Sequence, residues 1–123
     1  MTNNRIERDH LIILYQLEFR MSEEVTALRK SLGQLDVQRQ SLEMEAEAIV
    51  SELTSKPENG GEPMGIDTPL VDREGYPRAD IDLYRTRDLR HRLAVIRTDH
   101  KDLMKKIEGV LAQIAVLQVS IIL

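Results

Sequence analysis

"LRHRLAVIRTDHKDLMKKIEGVLAQIAVL", residues 89–117, decides the fold. Leu89, Leu93, Ile96, His100, Leu103, Ile107, Val110, Ile114 and Leu117 recur at alternating steps of four and three, and Ile121 continues the series. A 3.5-residue apolar period sustained this long is the signature of a helix that packs lengthwise on another helix. His100 is the single polar member, and its placement fits a partly buried polar residue that sets register. A helix over about 80–121 would be roughly 60 Å long.

Working outward, the partner is upstream. Leu11, Leu14, Glu18, Met21, Val25, Leu28, Leu32, Leu35, Arg39, Leu42, Ala46, Ile49 and Leu53 repeat the same period, broken only by Glu18 and Arg39. Thr2, Asn3 and Asn4 offer caps for a helix starting near Arg5, while Ser22-Glu23-Glu24 could equally start a second helix after a break. Gly33 is costly in a helix interior and suggests a bend or a close contact. Residues 1–54 hold six Arg/Lys against ten Asp/Glu, and residues 80–123 hold eight against six. An acidic helix and a basic helix of matched length suggest an antiparallel hairpin. A hairpin buries only one side of each helix, which leaves open whether residues 5–20 fold back as a short third helix or the chain dimerises.

Composition agrees with an all-α coiled coil. The 123 residues are 31% charged and 41% hydrophobic but only 3% aromatic, with no Trp and no Cys. That suits helices packed along a seam rather than an aromatic-rich globular core. No disulfide framework or thiolate chemistry is available. The N-terminus lacks the apolar core of a signal peptide, and the most apolar run, residues 110–123, falls short of the roughly 20 residues of a membrane span. A net charge of −4 argues against a nucleic-acid footprint. The expectations are a cytoplasmic and nuclear protein, no membrane, no nucleic acid and no cofactor, as a monomer or with weak self-association.

Between the helices lies "SKPENGGEPMGIDTPLVDREGYPRA", residues 55–79. It is far longer than a helix connection requires, and such loops are uncommon unless functional or disordered. Pro57, Gly60, Gly61, Pro63 and Gly65 give its first half, 55–65, the character of a flexible linker. Its second half reads as ordered. Leu70 and Val71 are apolar and suited to packing on the hairpin. Asp72 to Gly75 form a turn in which Gly75 takes positive φ. Pro77 presets the chain just ahead of the second helix, and Asp80 and Asp82 suit that helix's N-terminus. This account leaves Tyr76 and Arg78 without a necessary structural task.

Catalytic constellations are lacking. His91 and His100 project from opposite faces of one helix, and the third histidine is the distant His10. Glu43, Glu45 and Glu47 are two apart and diverge, and no glycine motif matches a phosphate loop. The chain is therefore expected not to be an enzyme. The basic cluster Arg85, Arg87, Arg90 and Arg92 is either a solvated, locally paired face or a patch for an acidic protein surface.

The run from Pro69 to Leu111 carries a resemblance. Leu70, Val71, Asp72, Glu74, Gly75, Tyr76, Pro77, Arg78, Ala79, Asp80, Ile81 and Asp82, followed by Arg87, Asp99, His100 and Lys101, closely resemble the N-terminal domain of the proteasome regulatory-particle assembly chaperone family, non-ATPase regulatory subunits with a C-terminal PDZ domain. The resemblance implies a helical module that binds the C-terminal helical subdomain of a proteasomal AAA ATPase subunit and delays docking of the ATPase ring on the proteolytic core. A single helical domain over 1–123 is expected, with helices at about 5–54 and 80–121, a connector at 55–79, and no PDZ domain after it. Loss of that second module would lower affinity. Tyr76, Arg78, Asp80, Asp82, Tyr84 and Arg87 are the expected protein-binding residues, and Leu70, Val71, Gly75, Pro77 and His100 the structural ones. The alternative function is a generic coiled-coil dimerisation or scaffold module.

Overall fold

The structure is a computed structural model that describes residues 3–122, with side chains described over 7–120. Two helices, α1 (Asn3–Thr54) and α2 (Leu83–Ile122), pack against each other as an all-α hairpin. α1 is one continuous helix. Residues 5–20 therefore do not fold back, and Ser22 starts no new helix: Ser22 instead accepts a hydrogen bond on its carbonyl from the Thr26 hydroxyl one turn on. The candidate caps Thr2, Asn3 and Asn4, and the burial of Ile121, lie outside the described side chains.

The chain divides into two compact units, residues 38–103 and a unit of residues 1–37 with 104–123. In the first, Ile49 and Leu53 on α1 meet Leu89, Leu93 and Ile96 on α2 to form the core, with Leu42, Ala46 and Val50 beside it. Every one of these apolar contacts from the helices except Val50 is a predicted seam residue, because the heptad period keeps these side chains on the facing stripe. Leu53 is fully buried. Antiparallel direction follows from the ion pairs, since Glu45 meets Arg92 and Glu52 meets Arg85.

In the other unit Val25 on α1 and Ile107 and Ile114 on α2 are buried. Glu24 and Leu28 share a groove with Ala112 and Val116. That pairing brings Ser120 level with about residue 20 of α1, since two antiparallel helices advance in step. The seam is accordingly buried or half-buried from Met21 onward, while its first members, Leu11, Leu14 and Glu18, are exposed. Gly33 forms neither a close contact nor a break: a Cβ there would meet nothing within 4 Å. No described helix is long and apolar enough to cross a membrane.

The connector differs from expectation in its first half. Residues 55–65 are tied down rather than free. The Gly65 amide donates to the Leu53 carbonyl at 2.7 Å, satisfying an orphan acceptor at the end of α1. Met64 and Ile66 pack against the core. Two apolar side chains within a polar stretch recruited the segment, a signal that its Gly and Pro residues obscured.

Candidate functional site

The second half of the connector is a small closed loop. Gly75 donates to the Asp72 carbonyl at 3.1 Å, and Asp72 donates back to the Tyr76 carbonyl at 2.7 Å. The Asp72 carboxylate accepts from the amides of Glu74 and Tyr76, both at 2.9 Å. A short Asp side chain bonding forward to its own backbone is the chemistry that makes such turns. Gly75 has φ 88°, as the turn requires. Val71 and Pro77 form an antiparallel bridge, closed by Arg78 donating to the Leu70 carbonyl at 3.0 Å.

This corrects two expectations. Pro77 does not lead into α2; it lies in the bridge, six residues before the helix begins at Leu83. Val71 is half-exposed, so its role is in the bridge rather than in packing on the hairpin. Leu70 is half-buried.

α2 starts after Asp82, later than the expected residue 80. The Asp82 carboxylate accepts from the Arg85 amide at 3.0 Å, and its carbonyl accepts from the Thr86 amide and hydroxyl. Asp82 is thus the N-cap, flanking the helix while filling one of its free donors. Asp80 does something else. It takes two hydrogen bonds from the Arg78 guanidinium, at 3.0 and 2.9 Å. Those bonds hold the Asp80 carboxyl below the ordinary aspartate value.

Arg78 is a bracket, not a free side chain. Besides Asp80 it donates to the carbonyls of Pro63 at 3.1 Å and Glu62 at 3.0 Å. Its side chain is only 12% exposed. The planar guanidinium, with five donors in fixed directions, can serve a carboxylate and two carbonyls at once. The reading that left Arg78 without a structural task is therefore corrected.

Arg90 was missed as an individual. It donates to the carbonyls of Gly65 and Met64 at 3.1 Å and of Thr68 at 2.8 Å. One signal was available: among the four arginines of the cluster, Arg90 sits beside a seam residue and has no acidic residue three or four positions away on its helix. Arg85 and Arg92 instead reach across to α1. Arg85 makes two hydrogen bonds of 2.9 Å to Glu52, and Arg92 bonds of 2.7 and 2.8 Å to Glu45. These arginines hold both glutamates below their ordinary values through those bonds. His100 is partly exposed and its Nε2 lies 3.0 Å from Glu43, which also pairs with Arg39. The histidine thus contacts the opposite helix from its seam position.

Three expected binding residues remain outward. Tyr76 is 65% and Tyr84 82% exposed, and Arg87 is exposed. No hydrogen bond or ion pair of these three side chains occurs among the described residues. A shallow concavity lies along the loop, lined by Glu62, Pro63, Thr68, Arg73, Arg78 and Asp80 among others. No group of three or more His, Asp or Glu residues that could hold a metal ion occurs among the described residues.

Residues 32–114 match the family described as the Nas2 N-terminal domain. The 26S proteasome non-ATPase regulatory subunit 9 of Mus musculus is 43% identical over 79 residues, covering 64% of this chain and 34% of the relative. Its Homo sapiens counterpart is 49% identical over 51 residues, covering 42% and 23%. The probable 26S proteasome regulatory subunit p27 of Schizosaccharomyces pombe is 32% identical over 81 residues, covering 66% and 35%. The matched stretch thus spans about a third or less of each of these relatives. No solved structure matches. The match over 32–114 takes in the core pairs, the tethered connector and the N-terminus of α2, and the chain belongs to the Nas2 N-terminal domain family.

Proposed function

We propose that this chain is the helical module of a proteasome assembly chaperone. It binds the C-terminal helical subdomain of a proteasomal AAA ATPase subunit and delays docking of the ATPase ring on the proteolytic core. It acts by binding, not by catalysis, in the cytoplasm and nucleus. The observation that carries the reading is the hydrogen-bonded loop at 70–78, which leaves Tyr76 largely exposed, together with Tyr84, largely exposed on the first turn of α2. Exposed tyrosines on a preorganised support are favourable anchors, because they bury much area at little entropic cost. Arg87 adds a charge with no partner among the described residues. Arg78, Asp80 and Asp82 serve the site by holding its shape.

The test is capture of purified proteasomal ATPase subunits by the 123-residue chain. Tyr76→Ala with Tyr84→Ala is expected to weaken capture at least tenfold with unchanged far-ultraviolet circular dichroism. Capture of no ATPase subunit, or capture indifferent to both tyrosines and to Arg87, would refute the proposal.

A further inference from the structure

Residues 11–19 of α1 are largely apolar and uncovered. Seven of the nine residues from 11 to 19 are large hydrophobics, each between 49% and 71% exposed. They lie outside the residues that match the family, 32–114. The seam residues Leu11 and Leu14 point along the stripe that packs on α2 further on. A second stripe is distinct from it. Arg8, Ile12, Tyr15, Phe19 and Glu23 follow one another at steps of four, three, four and four, which confines them to a helix arc of roughly 80° centred about 120° round the helix from the seam. Tyr15 and Phe19 are the most exposed apolar residues of the segment, at 71% and 65%.

The order of this stripe is self-complementary. It begins with a cation, continues through three apolar side chains and ends with an anion. Two copies laid antiparallel about a twofold axis beside Tyr15 bring Arg8 of each opposite Glu23 of the other, and Ile12 opposite Phe19. A twofold interface requires such pairing of a patch with itself. Arg8 and Glu23 are both exposed, and neither has an ion pair among the described residues. We infer that this face is a self-association site, occupied by a second copy of the chain. The three apolar side chains and their flanks offer roughly 500 Å² per copy, at the low end of specific interfaces, so the dimer is weak. This inference does not rest on the proposed ATPase binding, which uses a different surface.

Sedimentation equilibrium of the full 123-residue chain at low salt, over micromolar to submillimolar concentrations, tests it. A monomer–dimer equilibrium with Kd on the order of tens of micromolar is expected. Arg8→Glu and Glu23→Arg each place like charges together and should each raise Kd at least tenfold. Mixing these two single variants, or combining them in one chain, pairs opposite charges again and should restore dimerisation. Both positions are exposed, so helicity should be unchanged in every variant. A chain that stays monomeric throughout overturns the inference. So does a dimer whose affinity ignores both charge reversals. Binding of anionic phosphatidylserine vesicles without self-association, lost in Ile12→Asp, would assign the face to a membrane surface instead and likewise overturn it.

Discussion

The Arg90 side chain of α2 donates to the Gly65 carbonyl, 25 residues upstream, at 3.1 Å. With its bonds to Met64 and Thr68, this makes one guanidinium the clasp of the first half of the connector. Arg90→Ala would strand three carbonyl acceptors. A loss of about 2 kcal/mol is expected, since bonds to charged donors each contribute roughly 1.5–3 kcal/mol and water recovers part of them. Arg90→Lys should recover less than half, because a point charge cannot serve three acceptors in a plane. Chemical denaturation of the three proteins measures both effects.

The glycines separate by conformation. At Gly65, with φ +79°, a Cβ would come within 2.0 Å of the Thr68 hydroxyl oxygen, so Gly65→Ala should cost about 2 kcal/mol or more. Gly75 has open space but φ +88°, and Gly75→Ala should cost about 1 kcal/mol. Gly33→Ala should stabilise by about 1 kcal/mol, because the site is helical and open. Thermal melts of the three variants should fall in that order.

Acid should weaken the fold through identified pairs. Hydrogen bonds from Arg92, Arg85 and Arg78 hold Glu45, Glu52 and Asp80 below their ordinary values, and those from His100 and Arg39 do so for Glu43. A carboxylate with a lowered folded-state pKa contributes stability that is fully present above its unfolded value and lost as pH falls through the folded value. The decline should therefore begin near pH 4 to 5 and continue downward. Glu45→Gln with Glu52→Gln should flatten the slope of melting temperature against pH between 5 and 3. The Glu45–Arg92 and Glu52–Arg85 pairs are exposed on both sides, so added salt should diminish their share of the effect.

Leu53 is the core residue for which truncation should be most damaging. It is fully buried against Leu89, Leu93 and Ile96, and Leu53→Ala should cost about 2–5 kcal/mol. Leu14→Ala, at the other core position of the heptad and half-exposed, should cost under about 1 kcal/mol. Equal losses in denaturation would mean that Leu14 is covered in solution.

The two Tyr variants test partner binding without disturbing the loop's frame. The loop's closure uses backbone groups of residue 76, so removing the Tyr76 ring leaves the Asp72 bonds in place. Arg78→Ala is a poor binding probe by contrast. It should lower the melting temperature by several degrees, consistent with loss of about 1–3 kcal/mol from four bonds.

The sequence by itself determined the all-α class, the two helices, the residues of their seam from Met21 onward, and the turn at Gly75. These follow from local periodicity and from backbone conformations that one residue type can adopt. Only the tertiary structure decided what the arginines do. Arg78 and Arg90 satisfy carbonyls 15 to 26 residues away, and Arg85 and Arg92 meet acids 33 and 47 residues away. A long cationic side chain reads alike in sequence whether it faces water or a buried carbonyl, since its partners depend on which segments the fold brings together. The same holds for Leu11 and Leu14. Their period promises burial, but burial requires a facing helix, and where α2 draws level with α1 is a property of the folded pair.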